Sequence, residues 1–144
     1  MAEAEVKVGI ISCSGEDLAG GTLSRLATRK LLDERRPHHT VTICLPLFLA
    51  GGQEERMFAR AFPTITVDGC EKRCAYKATE RLSGKVNASI VVSDIVGKEA
   101  ACGCPLATDA LNEDQQRMVE LIADAIEAAF DKAQGTRKAA KIVD

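Results

Sequence analysis

The chain has little of what binds nucleic acid. Its 144 residues include no tryptophan, one tyrosine and four phenylalanines, so aromatic stacking on bases is not expected. The net charge of −2 likewise provides no basic field for a phosphate backbone. No apolar run approaches the ~18 residues of a membrane span, and the first residues are acidic where a secretory signal is basic. These absences predict a cytoplasmic protein that has neither nucleic acid nor a membrane as its partner.

The sequence is rich, by contrast, in cysteine, with six residues of this type. A reducing compartment disfavours structural disulfides, so these cysteines are expected to bind metal, to carry thiol chemistry or to be buried as small apolar residues. Spacing alone leaves the three roles open, because no two of the cysteines form a Cys-x-x-Cys pair.

Runs of β-branched residues alternate with helical patterns along the chain. The predicted strands cover residues 6–11, 40–45, 64–67 and 88–92. Helices are predicted from Thr22 after a turn at Gly20-Gly21, over 53–62, over 71–82, and from the cap Asn112 to Gly135. Strands that alternate with helices indicate a parallel sheet with right-handed crossovers. The predicted fold class is therefore a small three-layer α/β sandwich with four parallel strands, Rossmann- or flavodoxin-like. By analogy with flavodoxin-like folds, the strand order is expected to be 2-1-3-4.

The length of the chain favours one domain. We predict a single α/β domain over residues 1–135. The remaining segment, 136–144, carries basic residues and little apolar content, so it is predicted to be a mobile tail.

Four cysteines lie at or just after the ends of predicted strands, namely Cys13, Cys44, Cys70 and Cys74. The carboxyl ends of parallel strands meet at one edge of a sheet, so these four sulfurs are expected to come together there. Cys102 and Cys104 follow the fourth strand and are expected on the same side. Thiolates are good ligands for tetrahedral zinc, so this gathering predicts a metal site as one of the open roles.

The sequence Val-Asp-Gly-Cys-x-x-x-Cys at residues 67–74 resembles the central motif of the DGC-domain family, which is assigned to zinc by its four cysteines. A Cys-Ser-Gly after the first strand and a Ser-Asp after the fourth fit the same family, over roughly residues 6–97. The resemblance implies zinc as the cofactor, a metal ion as the partner, and four ligands: Cys13, Cys44, Cys70 and Cys74. Six residues separate Cys44 from the next glycine pair, a departure from the family pattern that makes Cys102 and Cys104 additional candidate ligands.

Two other functions stay open at this point. In a thiol redox enzyme, Cys70 or Cys13 would be the reactive thiolate. In a protein that transfers or senses a soft metal, Cys102 and Cys104 would exchange the ion. An iron–sulfur cluster is a weaker prediction than zinc, because no run of closely spaced cysteines supports it.

Two aspartates and two histidines complete the set of candidate residues. Asp68 and Glu71 form an Asp-x-x-Glu capping box, so Asp68 is predicted to cap the helix over 71–82 rather than to act as an acid or base. Asp94 ends the fourth strand at the edge of the cysteines, where it either caps the next segment or assists the site. His38 and His39 precede the second strand, so they are predicted at the opposite edge and excluded as ligands.

Overall fold

A computed structural model describes residues 7–135, so the predicted tail over 136–144 lies outside the described residues. Four strands form one sheet in the order β2-β1-β3-β4, and every neighbouring pair is parallel. The strands are β1 (Val8–Ser12), β2 (Thr40–Val41), β3 (Thr64–Asp68) and β4 (Ala88–Val91). The predicted α/β class and strand order are confirmed.

The described residues form eight α-helices: α1 (Ala19–Lys30), α2 (Leu45–Leu49), α3 (Gln53–Arg56), α4 (Phe58–Ala61), α5 (Cys74–Leu82), α6 (Val92–Val96), α7 (Lys98–Ala101) and α8 (Glu113–Gln134). A π-helical turn, Leu31–Arg35, extends α1. The prediction of four helices was too low. No helix was predicted between residues 45 and 53, yet α2 forms there, because Pro46 fits the first turn of a helix, where its missing N–H is not needed. The segment after β4 likewise forms α6 and α7.

β2 is much shorter than the predicted strand over 40–45. It pairs with β1 through two residues only. Beyond them, the Thr42 hydroxyl donates to the Ile10 carbonyl at 2.6 Å, so a side chain satisfies an acceptor of β1 that a longer strand would have used. Cys44 then lies directly before α2, and it therefore leaves the sheet rather than ending a strand.

Helices cover the sheet on both faces. On one face, α1 and α8 pack against alternate residues of β1 and β3, namely Val8, Ile10, Ile65 and Val67. On the other face, Ile11 of β1 packs with residues of α2, α4 and α5, namely Leu45, Phe48, Phe58 and Ala75. Alternate residues of β1 thus enter opposite cores, as the two-residue period of a strand requires. The predicted three layers are present.

α8 begins and ends as the sequence predicts. The Asn112 side chain accepts the Gln115 N–H at 2.8 Å, and the Gln115 side chain accepts the Asn112 N–H at 2.9 Å. The predicted cap is therefore a complete capping box, and Gly135 closes the helix. Within residues 7–135, no helix combines the length and the apolar character that crossing a membrane requires.

A cluster of charges joins the π-helical turn to α8. Arg35 forms ion pairs with three carboxylates of α8, namely Glu120, Asp124 and Glu127. Arg36 pairs with Glu127 and lies 5.2 Å from the centre of the Phe130 ring. The cations of Arg35 and Lys30 hold the pKa of the Glu120 carboxyl below its usual range. These contacts fasten the end of α1 to the helix that covers the same face of the sheet.

We expect Arg35→Gln to lower the free energy of unfolding by about 1 kcal/mol at neutral pH, because it removes a charge that several carboxylates share. The pKa of Glu120 is lowered in the folded state, so its stabilising charge is present above the usual glutamate pKa and is lost as the pH falls through the lowered one. The difference between wild type and variant, measured by urea denaturation, should shrink in acid. Arg117→Gln is the control, since Arg117 makes an exposed pair with Asp114, and an equal loss there would contradict the prediction.

Candidate functional site: a cysteine-lined cleft

A cleft of about 600 Å³ opens at the carboxyl edge of the sheet. Its walls are the segment between β1 and α1, the segment between β3 and α5, and parts of α2, α6 and α7. Four of the six cysteines line it, namely Cys13, Cys70, Cys74 and Cys102. The structure thus brings together, at the predicted edge, thiols that lie far apart in the sequence.

Cys13 lies one residue beyond β1 and continues its pairing with β3. Its N–H donates to the Val67 carbonyl at 2.8 Å. The Cys13 Sγ lies 3.7 Å from the Ser24 Oγ, and that hydroxyl donates its proton to the Gly21 carbonyl at 2.8 Å. Because the serine has only one proton to give, the thiol is the donor in the contact with Ser24. The half-buried thiol is therefore placed from two sides, by the sheet and by α1.

The helix predicted over 71–82 starts later than expected. α5 begins at Cys74, so Cys70 and Cys74 do not share the face of one helix. Cys70 begins a tight turn instead, in which its carbonyl accepts the Arg73 N–H at 3.1 Å. Arg73 has a φ of 52°, the left-handed conformation that a non-glycine residue adopts at a cost in free energy.

Contacts of the Arg73 side chain offset that cost. Its guanidinium donates to the Ser89 Oγ at 2.9 Å and lies 3.9 Å from the centre of the Tyr76 ring, within the range of a cation–π interaction. Because Ser89 belongs to β4, Arg73 ties the turn between the two cysteines to the edge strand. It also places a positive charge at the wall of the cleft.

Asp68 caps α5, but not in the predicted way. It ends β3, is only 1% exposed, and accepts the N–H groups of Ala75 at 2.7 Å and Tyr76 at 3.1 Å. These are the second and third residues of the helix, whose N–H groups have no partner within it. The prediction of a capping box with Glu71 is wrong, because the helix starts later. Burial raises the pKa of Asp68, against the lowering effect of its two hydrogen bonds.

The segments that carry the cysteines contact α1 through glycines. A Cβ placed on Gly69 would lie 2.6 Å from the carbonyl carbon of Gly20 and 2.8 Å from the nitrogen of Gly21. A Cβ on Gly20 would lie 2.7 Å from the carbonyl oxygen of Gly69. No side chain fits between these backbones, so both positions require glycine. The prediction of a turn at Gly20-Gly21 is wrong, because α1 begins at Ala19 and includes both glycines. The close contact with Gly69 explains why glycine is needed inside this helix.

Three cysteines lie outside the segments that follow β1 and β3. Cys44 directly precedes α2, and Cys102 and Cys104 follow α7. Cys102 lines the cleft, and its N–H donates to the Lys98 carbonyl at 2.9 Å. The next residue, Gly103, accepts the Ala19 N–H at 2.9 Å, which attaches this loop to the first turn of α1. Cys44 and Cys104 are exposed and are not among the residues that line the cleft.

Charges of both signs surround the thiols. The cations that line the cleft are Lys72, Arg73 and Lys98, and the carboxylates are Glu16, Asp17, Asp68 and Glu71. Within residues 7–135, no three cysteine, histidine, aspartate or glutamate side chains lie close enough together to hold a metal ion as they stand. The cleft therefore contains the thiols that a soft metal prefers as ligands. Their sulfur atoms do not surround a common point.

The other candidate residues lie at the margin of the cleft or away from it. The His39 carbonyl accepts the Val8 N–H at 3.0 Å, at the start of β1. The prediction that the two histidines lie at the opposite edge is thus confirmed. Asp94 lies exposed in the first turn of α6, whereas its neighbour Ser93 lines the cleft.

Three residues that shape the site were not predicted from the sequence: Gly20, Ser24 and Ser89. A signal existed for Gly20, because a glycine pair next to a helical pattern is costly inside the helix unless a close contact requires it. Nothing in the sequence distinguishes Ser24 or Ser89 from the other serines of the chain.

The fold and the cleft define a class: a small parallel α/β protein with a thiol-rich site at the carboxyl edge of its sheet. A model of the DGC domain matches residues 9–122, and the chain belongs to the DGC-domain family. The match runs from β1 into α8 and includes all six cysteines. It therefore continues past residue 97, where the motifs that resemble the family end. No curated protein and no solved structure matched the chain.

We expect Gly69→Ala to lower the free energy of unfolding by about 1–3 kcal/mol, the usual cost of forcing atoms into a packed site. The new methyl group would meet the backbone of Gly20 and Gly21. Urea denaturation measures the change. Gly103→Ala is the matched control near the same cleft, because a Cβ there would come no closer than 3.5 Å to atoms beyond its chain neighbours. Equal stability of Gly69→Ala and wild type would show that the loops do not depend on this contact.

Asp68→Ala should also lower the free energy of unfolding by about 1–3 kcal/mol, because it leaves the N–H groups of Ala75 and Tyr76 without their acceptor. Helical signal by circular dichroism, followed through a urea titration, gives the change. Asp109→Ala replaces an exposed aspartate and is expected to stay within about 0.5 kcal/mol of wild type. The same small effect in both variants would remove Asp68 as the cap of α5.

Proposed function

We propose that the protein binds a zinc ion through cysteine thiolates at the carboxyl edge of its sheet. The observation that supports this most directly is that Cys13 lines the same cleft as Cys70 and Cys74, although it comes from a separate segment. These are three of the four ligands that the resemblance to the DGC-domain family implies, with Cys44 as the fourth. Thiolates are soft donors that suit tetrahedral zinc.

Zinc binding requires the thiols to turn toward one another. A cysteine side chain has one torsion, and its three staggered rotamers move the sulfur without moving the backbone. Cys74 is exposed and Cys70 is half-buried, so both have room to change rotamer. Cys13 would exchange its contact with Ser24 for the metal. The sheet holds the backbone of Cys13 and the glycine contact holds the segment of Cys70.

Three cations line the cleft, beside four carboxylates, and are available to offset the charge of an anionic metal centre. Four thiolates around one zinc ion carry a net charge of about −2, which needs positive charge or N–H donors nearby. Lys72, Arg73 and Lys98 line the same cleft. Arg73 is also held in place by Ser89 and Tyr76, so its charge does not depend on a freely moving side chain.

No disulfide joins any of the six cysteines, all of which lie within residues 7–135. Reducing conditions keep cysteines in the thiol form that a metal site needs. We therefore propose a cytoplasmic protein whose partner is a metal ion, without nucleic acid or a membrane as a further partner.

A thiol enzyme is the competing function. The observation that favours it is the half-buried Cys13 thiol, which donates to Ser24 and opens onto the cleft. A closed four-sulfur site predicts protected thiols, whereas an enzyme predicts one thiol that reacts faster than the others. Metal transfer through Cys102 and Cys104 would leave that pair reactive while the zinc stays bound.

Elemental mass spectrometry of the untagged protein, with free thiols counted on the same sample, tests the proposal. We expect about one zinc per chain and about four thiols protected until a chelator removes the metal. Cys70→Ser and Cys74→Ser should each weaken zinc retention by about tenfold or more, because each removes a donor. Cys104→Ser is the control, since Cys104 does not line the cleft.

Two results would contradict zinc binding. A metal-free protein with all of its thiols open to a thiol reagent would move the assignment to thiol chemistry at Cys13 or Cys70. Iron with acid-labile sulfide in place of zinc would indicate an iron–sulfur cluster in the same cleft.

A further inference from the structure

Gly20 makes backbone contact with two of the cysteine-bearing loops. A Cβ on Gly20 would lie 2.7 Å from the carbonyl oxygen of Gly69 and 3.0 Å from that of Ala101. Gly69 directly precedes Cys70, and Ala101 directly precedes Cys102. One residue of α1 therefore lies between both loops, and it brings Cys70 and Cys102 to the same end of that helix.

The loop that carries Cys102 is anchored on both sides. Ala101 is fully buried, and the Cys102 N–H donates to the Lys98 carbonyl at 2.9 Å. On the other side, the Gly103 carbonyl accepts the Ala19 N–H at 2.9 Å. The Cys102 side chain itself is exposed and lines the cleft. An anchored backbone thus presents an exposed thiol to the cleft that the other three thiols line.

Cys44 has the opposite arrangement. It has an extended backbone, with φ −82° and ψ 106°, in which neighbouring side chains point to opposite sides. The following residue, Leu45, is buried and lines the cleft, whereas Cys44 is exposed and does not. The side chain that this segment directs into the cleft is therefore a leucine and not the cysteine.

We infer that Cys102, and not Cys44, supplies the fourth thiolate to a zinc ion held by Cys13, Cys70 and Cys74. This inference rests on the proposed function. Each thiol releases its proton to solvent as its sulfur binds the ion, so the step needs no oxidant or reductant. All four ligands then come from segments that contact the first two turns of α1.

Cobalt(II) titration of the reduced full-length protein tests the inference. Cobalt(II) accepts the tetrahedral sites of zinc, and its sulfur-to-metal charge-transfer absorption rises with the number of thiolate ligands. Cys102→Ser should lower that absorption by about a quarter and weaken zinc binding by about tenfold or more in competition with a chromophoric chelator. Cys104→Ser is the matched control, because it makes the same substitution two residues away, outside the cleft.

The double variant Cys44→Ser/Cys104→Ser keeps only the four cleft thiols. We expect it to bind one cobalt ion per chain with the absorption and zinc affinity of wild type. Cys102 and Cys104 are both exposed, so the metal-free variants should melt at the temperature of metal-free wild type. A spectral change in Cys102→Ser then reports the loss of a ligand and not of the fold.

The outcomes separate this inference from the proposed function. A loss in Cys44→Ser with none in Cys102→Ser would overturn the inference while leaving zinc binding in place. Equal losses in both single variants would overturn it as well, since Cys44 would then contribute as much as Cys102. A wild-type protein that binds neither metal would overturn the proposed function itself.

Discussion

The contact between Gly20 and Gly69 is the constraint on which the carboxyl edge of the sheet depends. The start of α1 and the turn after β3 approach to backbone distance there, which only residues without a side chain permit. Because the two segments are joined in this way, the residues that follow β1 and β3, Cys13 and Cys70, open onto the same cleft. Backbone packing thus helps to determine where the thiols lie.

Each residue of the Asp-Gly-Cys sequence meets a separate physical demand. Asp68 satisfies N–H groups of α5 from the end of β3, Gly69 permits the contact with α1, and Cys70 faces the cleft. Arg73 then completes the turn in a left-handed conformation that its contact with Ser89 supports. A strand, a tight turn and a helix are thus joined within a few residues while a thiol is presented to one side.

The parallel sheet was predictable because β-branched runs alternate with helical patterns, whereas its strand order came from analogy with flavodoxin-like folds. A parallel sheet alone places the cysteines after the first and third strands at one edge. The start of α5 was not predictable. The spacing of Asp68 and Glu71 fits a capping box, but the carboxylate binds N–H groups seven and eight residues later. Cys44 was expected in a strand, yet β2 ends at Val41 and Pro46 belongs to a helix, an outcome that depends on packing rather than on local preference.

Because β2 is short, the strands around the cleft are joined to the sheet by different numbers of backbone hydrogen bonds. Two residues of β2 join the sheet, whereas β1, β3 and β4 are joined by longer ladders. Local opening of the native state costs least where few backbone hydrogen bonds are broken. α2 follows this weakly joined strand and contributes Leu45 and Leu49 to the cleft wall. The α2 wall is therefore held mainly by the core packing of Leu45 and Phe48, whereas the segments that carry Cys13 and Cys70 follow two strands that share a longer ladder. Opening the cleft on the side of α2 breaks fewer strand hydrogen bonds than opening it on the side of these two cysteines.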